Sequence, residues 1–419
     1  MTGLHSANRL HLPRGTVTWD SLGAETADRL GDPAAFAGRR VVFVLETMAE
    51  ALGAVAYGMA ADLDFGVIEA ARLSPDVETR FAENGVQLVS VRDGAALGQH
   101  PAAGSVQPGR VTVLTSGTTG LLKLIPHDRA SLNTFDRVAD LPANSWFLPY
   151  QIGSYAWYQM VGLGLFVAGQ DLVPADFSDL AGSFETAIRQ GLVTAISSTP
   201  TFWRHALMTL GPELLATAPL RAISMGGEIV DQAILDRLAA LYPAARIRHI
   251  YASSEAGAAI VVTDGRAGFD AALLHRAGGP VALKLEEGRL FIRSRYGNSA
   301  GAGDWIDSGD LVEEREGRVY FLGRAGNAMI NVGGQKAFPP DIEAHLLRHP
   351  DVLWAQVKAR RAPLVGHLPM ATVVLRRPMD EAEAEAMLIA HCEGQLADYA
   401  IPRIWDFPDH VPLRASLKS

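Results

Sequence analysis

The stretch Leu114-Thr115-Ser116-Gly117-Thr118-Thr119-Gly120-Leu121-Leu122-Lys123 decides how this chain is read. It follows a β-branched run at 111–113 that reads as a buried strand. Six small or hydroxylated residues come next, and a lysine closes the segment. Gly117 and Gly120 let the backbone turn tightly and approach a ligand. Four hydroxyls and free N–H groups can surround an anion, and Lys123 adds a point charge. This is the chemistry of a polyphosphate cradle. It is not the Walker-type loop, which needs Gly-Lys-Ser/Thr together. A Ser/Thr-rich surface turn would use the same residues, so the choice between the two rests on segments further along the chain.

There are three such segments. They are Tyr251-Ala252-Ser253-Ser254-Glu255, Asp307-Ser308-Gly309-Asp310, and Gly323-Arg324 running into Ile330-Asn331-Val332-Gly333-Gly334-Gln335-Lys336. With the first stretch, and in this order, they resemble the motifs of the adenylate-forming (AMP-binding) superfamily. That superfamily includes acyl-CoA synthetases, aryl-acid ligases, peptide-synthetase adenylation domains and luciferases. The resemblance runs from about Val17 to Ser419. The part before the phosphate loop is shorter than is usual there.

Composition fits this reading. A chain of 419 residues is long for one core and predicts two or more domains. Apolar residues make up 48% and charged residues 20%, which is ordinary globular composition. A net charge of −9 gives no basic footprint for nucleic acid or an anionic membrane. The single cysteine, Cys392, excludes an intrachain disulfide and suits a reducing cytosol. Between His391 and Glu393 it could be reactive, but a lone helical cysteine is more often structural. No secretory signal and no membrane span are expected, and the expected location is cytoplasmic.

Over the first 320 or so residues short apolar strands alternate with amphipathic helices. Strands are predicted at 40–45, 86–91, 193–196, 222–225 and 247–251, and helices at 49–61, 202–210 and 232–241. Alternation of this kind predicts α/β layers. From about 261 to 322 short β runs (281–284, 290–294, 318–322) are separated by Gly and acidic turns, which predicts a β-rich subdomain. A boundary is expected near Ala325-Gly326-Asn327. Beyond it lie a Gly-Gly hairpin, a helix at 340–348, strands at 352–359 and 371–375, a helix at 380–396 and a strand near 403–407. The expected fold is therefore α/β: a large layered N-terminal domain (1–324) with a β-rich subdomain, plus a small α+β C-terminal domain (325–419). The resemblance makes that small domain mobile, with its hinge at 325–327.

Site residues come from the resemblance. Thr115, Ser116, Gly117, Thr118, Thr119, Gly120 and Lys123 would surround the β- and γ-phosphates of ATP, with Leu122 where proline is common. Ser254 and Glu255 match a Thr-Glu pair. Glu255 would hold Mg²⁺, a hard cation that takes oxygen ligands, and Ser254 would contact the α-phosphate. Tyr251 offers a face to adenine, and His249 stands where an amide often recognises it. Gly226-Gly227-Glu228 resembles the loop over adenine. Asp310 would accept the ribose hydroxyls and Arg324 would add a contact, while Asp307 reads as a turn former. Lys418 matches the catalytic lysine that bridges the carboxylate and the α-phosphate, with Leu417 where glycine is usual. Gly333 and Gly334 would line the pantetheine tunnel, or simply turn a hairpin.

The acid itself is read from weaker signals. The aspartate that pairs a substrate ammonium in amino-acid-activating members has no counterpart near Tyr150-Gln151-Ile152-Gly153-Ser154-Tyr155-Ala156-Trp157-Tyr158. A plain carboxylic acid, aromatic or of medium acyl length, is therefore expected. Tyr150, Tyr155, Trp157 and Tyr158 could line its site or pack a helix core equally well. Gln151, Ser198, Thr199, Met225, Gly226, Ala252 and Gly257 are further pocket candidates. The resemblance implies ATP-dependent adenylation, then transfer to the thiol of coenzyme A or of a carrier-protein phosphopantetheine. Transfer to a non-thiol nucleophile and a degenerate nucleotide-binding module are the alternatives.

Overall fold

The computed structural model describes residues 5, 7–98, 105–116, 122–132, 134, 142–276, 278–298, 303–324, 329–362 and 366–412. By contact density the chain forms two units. The first is Met1–Ser197 with Ala252–Ala259 and Ser294–Asp304, and the second is Ser198–Tyr251 with Ile260–Arg293 and Trp305–Ser419. The boundary expected at 324/325 abuts residues 325–328, which lie outside the described set.

In the first unit a six-stranded sheet carries the opening motif. Its order is Ala96–Leu97, Val86–Ser90, Arg40–Leu45, Asp64–Glu69, Val111–Ser116, Leu122–His127. The four central strands run parallel, and both edge strands are antiparallel to their neighbours. The crossover from Arg40–Leu45 to Asp64–Glu69 is the helix Met48–Ala60. A capping box starts it, with Thr47 and Glu50 each accepting the other's backbone N–H at 3.2 Å. Its packing is close: a Cβ on Gly58 would stand 2.8 Å from the Phe65 ring.

A second layer of the same unit holds strands in the order Gly15–Thr18, Arg9–Leu12, Gln170–Pro174, Asn144–Leu148. Helix Tyr155–Phe166 packs on this part of the sheet, against strand Gln170–Pro174. The N-terminal hairpin and the helix Trp19–Leu30 went unpredicted, because their alternation is short and interrupted by charge.

The second unit contains the parallel pair Ala222–Gly226 and Arg246–Ser253, and an antiparallel sheet ordered Phe269–Asp270, Arg318–Arg324, Ile306–Arg315, Arg289–Ser294, Val281–Glu286. That sheet is the expected β-rich subdomain. Further on, Ile330–Val332, Gln335–Ala337, Val352–Ala362, Gly366–Leu375 and Ile404–Asp406 build a five-stranded sheet covered by helices Pro339–Leu346 and Glu381–Cys392. It has a core of its own, from Ile330 through Leu346, Val373 and Leu388 to Ile401. The last helix ends at Cys392, short of the predicted 396, because Gly394 takes a left-handed φ of 73°. Among the described residues no helix is long and apolar enough to cross a membrane.

Candidate nucleotide and acid site

The opening motif begins inside a hairpin. Thr115 pairs with Lys123 and Ser116 with Leu122 in antiparallel register, so the strand extends three residues beyond the predicted 111–113. Directly paired residues share a face of the sheet. Thr115 and Lys123 therefore point the same way at the mouth of the turn. Gly117, Thr118, Thr119 and Gly120 lie outside the described residues. Lys123 is exposed, with no ion pair or hydrogen bond from its amine among the described residues.

Three further segments of the first unit are fastened to this hairpin. The Gly153 carbonyl accepts from Leu114 N at 3.1 Å, docking the loop Tyr150–Ser154 on the motif strand. Tyr155 Oη accepts from Ala258 N at 3.1 Å, and its ring lies 5.3 Å from the His127 ring. His127 ends the strand that carries Lys123. Its Nε2 meets the Ser254 carbonyl at 2.7 Å, and its Nδ1 lies 3.0 Å from Ser131 Oγ. A donor toward the Ser254 carbonyl fixes the Nε2–H tautomer in the neutral ring, so Nδ1 accepts from the serine. Burial holds this imidazole below the ordinary histidine range and thus neutral.

His127 was not among the predicted residues, and it joins two that were. It fixes Ser254 and Glu255 against the Lys123 strand. The Glu255 carbonyl accepts from Asn298 N at 2.9 Å, while its carboxylate makes no hydrogen bond or ion pair among the described residues. Nothing in the local sequence marks His127, since its partner stands 127 positions away.

The aromatic cluster divides. Trp157 is fully buried, and Tyr158 is 2% exposed with its hydroxyl accepting from Val67 N at 3.2 Å. Both are core residues of helix Tyr155–Phe166, the second of the two readings open to them in the sequence. Tyr150 Oη lies 3.2 Å from Ser197 Oγ, so its polar tip is already engaged. Gln151 is half-buried and Ala252 likewise. Gly257 has a φ of 73°, and a Cβ there would meet the Tyr296 carbonyl at 2.2 Å. Close backbone packing explains that glycine without a ligand.

In the second unit Asp310 anchors a polar group. Its carboxylate receives the Tyr251 hydroxyl and, at 3.0 Å, Arg324 Nε, and Arg324 is its cross-strand partner. The Asp310 N–H donates to Ser308 Oγ at 3.1 Å, and that hydroxyl donates to the Leu290 carbonyl at 2.7 Å. Tyr251 stacks on Phe321 at 4.7 Å, and burial together with the Asp310 charge pushes its phenol well above the usual range. Asp307 is the expected turn former: it accepts from Gly309 N at 2.9 Å and pairs with Arg289. His249 Nε2 lies 2.9 Å from the Arg266 carbonyl.

Other predicted residues of this unit have structural partners. Glu228 accepts from Thr201 N at 3.0 Å, and Thr199 from Phe202 N at 3.1 Å, so both cap helix Pro200–Thr209. Gly226 stands where a Cβ would meet the Ile250 carbonyl at 2.8 Å, and Gly227 has a φ of 81°. Ser198 and Met225 are buried. Gly333 and Gly334, at φ of 57° and 91°, form the two-residue turn of a hairpin, with Asn331 Oδ1 accepting from Gly334 N at 2.8 Å. Cys392 is buried, its thiol pushed up to about 11, which makes it a core residue. Lys418 and the hinge residues 325–327 lie outside the described residues.

Known proteins resemble this chain in sequence and in fold. A 2-succinylbenzoate–CoA ligase of Bacillus licheniformis is 33% identical over 142 residues, covering 33% of this chain and 28% of that protein. The aligned part is thus under a third of the relative's length. Among solved structures, the anthranilate CoA ligase in complex with anthranoyl-AMP superposes with a TM-score of 0.74 over 99% of this chain and 93% of that one, at 18% identity. The o-succinylbenzoate CoA synthetase of Bacillus subtilis with its acyl-adenylate gives 0.67 over 98% and 93%, at 21% identity. These two establish the fold. The family model for AMP-binding enzymes matches residues 26–286, and the model for the AMP-binding enzyme C-terminal domain matches 341–418. The first covers more than half of the chain, and the protein belongs to the AMP-binding enzyme family, the adenylate-forming superfamily.

Proposed function

We propose that this chain is an ATP-dependent, AMP-forming ligase. It activates a small carboxylic acid as its acyl-adenylate and passes the acyl group to the thiol of coenzyme A. The observation that carries the reading is the 2.7 Å contact of His127 with the Ser254 carbonyl, which sets an unpartnered carboxylate, Glu255, by the strand of Lys123. A carboxylate without a protein partner beside a cationic hairpin fits a Mg²⁺ that takes its other ligands from phosphate oxygens and water. When bound, that ion would neutralise charge on the phosphates.

The acid's oxygen attacks the α-phosphorus, the bond to the bridging oxygen breaks, and pyrophosphate leaves with the electron pair. Charge spreads over phosphoryl oxygens, so positioned cations and donors do most of the work. Thr115, Ser116, Gly117, Thr118, Thr119, Gly120 and Lys123 take the β- and γ-phosphates, and Ser254 an α-phosphate oxygen. Asp310 and Arg324 take the ribose hydroxyls, and Tyr251 and the Gly227-Glu228 backbone the base. Lys418 draws the carboxylate and the α-phosphate together. In the second step the thiol attacks the acyl carbon and AMP leaves, with Gly333-Gly334 beside the pantetheine arm. Residues 1–324 and 325–419 act as the two domains of this cycle, in the cytoplasm.

An aromatic or medium-length acid is the substrate class we favour. The acids for which the relatives are named, 2-succinylbenzoate and anthranilate, are aryl acids. Tyr150, Gln151, Tyr155, Ser198, Met225, Gly226, Ala252 and Gly257 remain the proposed pocket. Nothing in the comparisons favours a carrier protein over coenzyme A.

The test is pyrophosphate release across a panel of aryl and alkyl acids, with and without coenzyme A. Acid-dependent release with thioester formation is expected. Release without thioester would point to a different nucleophile, and release with no acid dependence would overturn the reading. Lys418→Ala should lower the adenylation rate by about 10²–10³ with little change in ATP affinity. An unchanged rate would remove Lys418 from the chemistry.

A further inference from the structure

A small cavity of about 40 Å³ lies in the second unit, between helix Gln232–Leu241, helix Pro200–Thr209 and the C-terminal sheet. Its apolar walls include Leu207 and Leu353, and its polar ones are Arg204, Asp231, Arg237 and Arg376. A water needs roughly 10–15 Å³ of such space, so there is room for a few waters or one tetrahedral ion.

The charges do not balance. Arg204 is neutralised by Asp231, which also caps the helix at Ile234 N, 3.2 Å away. Arg237 is half-buried and has no hydrogen bond or ion pair among the described residues. Arg376 donates Nε to the Pro350 carbonyl at 2.6 Å, which leaves its two terminal nitrogens without a partner among the described residues. The neighbouring acid, Asp351, pairs with Arg377 at 3.8 Å. Two guanidiniums from different elements thus share one pocket, and neither makes an ion pair among the described residues. Burial, and then the Arg237 charge, pull Arg376 below its usual range, against a smaller opposing pull from Asp351. Guanidinium forks match oxyanion geometry, and apolar walls strengthen such contacts.

We propose that this pocket binds one tetrahedral oxyanion of phosphate chemistry, held jointly by Arg237 and Arg376. The ion relieves their repulsion and fastens helix Gln232–Leu241 to the C-terminal sheet. Free phosphate and one end of pyrophosphate offer the same group.

The test is the thermal unfolding midpoint of the full chain, titrated with inorganic phosphate, with pyrophosphate, and with chloride at matched ionic strength. Wild type and Lys123→Ala should show a saturable rise with phosphate or pyrophosphate beyond that in chloride, because ligand binding to the folded state stabilises it. Whichever saturates at lower concentration identifies the source. Arg237→Gln and Arg376→Gln should each weaken the effect about ten-fold or more, the share of one charge-assisted contact. The midpoint without anion reports whether each variant is folded, and the two lie on separate elements. An equal rise in both variants and wild type would overturn the proposal. So would loss of the rise in Lys123→Ala, which would put the ion at the hairpin, or a rise that merely follows ionic strength.

Discussion

The Lys123–Glu255 region and the Asp310 region use charge in opposite ways. Around the hairpin, the backbone is tied down by Leu114–Gly153, Tyr155–Ala258 and His127–Ser254, yet the Lys123 and Glu255 side chains have no ion-pair partners among the described residues. At Asp310 the charged group is itself tied, by Arg324, Tyr251 and the adjoining turn. Asp310 is 8% exposed, whereas Lys123 is open to solvent. One region leaves its charges unpaired on a rigid frame, as the proposed ligand site requires, and the other is pre-organised by its own hydrogen bonds. Activity and stability should therefore separate in the first region and move together in the second.

Lys123→Ala gives the largest expected effect. Turnover should fall by about 10²–10³, as for loss of one transition-state contact, while stability stays within about 0.5 kcal/mol. A large drop in unfolding midpoint would break the comparison, because it would show Lys123 already engaged in the free protein. Glu255→Gln should lower magnesium-dependent turnover roughly ten- to hundred-fold and leave the fold intact. Wild-type activity throughout a magnesium titration would exclude it as a ligand.

Asp310→Ala should raise KM for ATP about ten-fold and also cost about 1–3 kcal/mol of stability, since it strips Arg324 and Tyr251 of their acceptor. Full stability in denaturant would show that the pre-organised network is not one. Arg324→Ala should follow in direction with a smaller loss, because Arg324 is more exposed.

The smallest effect concerns acid. His345 and His391 stack at 4.4 Å, each Nε2 on the other's carbonyl at 3.0 and 3.1 Å, and His349 lies edge-on to His391 at 5.0 Å. Burial, with the His391 and Arg348 charges, holds His345 below its ordinary 6.5, against the raising hydrogen bond to the His391 carbonyl. Burial and His391 do the same for His349, against an opposing pull from Asp351. The unfolded chain then binds more protons than the folded one below about pH 6.5, so this cluster loses stability as pH falls through that value. Glu343 works in the other direction, its carboxyl pushed up to about 7 by burial. The difference between wild type and His345→Gln, by urea unfolding at about pH 7.5 and about pH 5.5, isolates the histidines. Wild type should lose more than the variant, and equal losses would refute the sign.

Much of the scaffold was legible. Arg40–Leu45 and Gln232–Leu241 are read to the residue, because a valine-rich apolar run and a full-length amphipathic period leave little choice. The strand through Thr115 and Ser116 was not, since small hydroxylated residues carry no strand signal and the pairing with Leu122 and Lys123 supplies it. The motif residues Asp310 and Arg324 were named from sequence, yet their cross-strand pairing comes from register. Tyr150 and Trp157 look alike in sequence, but Trp157 lies inside helix Tyr155–Phe166 and Tyr150 in the loop before it. His127 was invisible because its role is a contact across the fold.

The central claim is that acid and ATP react before any acceptor enters. Isotope exchange between pyrophosphate and ATP, measured without coenzyme A, tests it most directly. The account predicts exchange that requires the carboxylic acid, needs no thiol, and gives way to AMP and thioester once coenzyme A is added. Exchange with no acid present, exchange that demands coenzyme A, or the appearance of ADP and phosphate would contradict it.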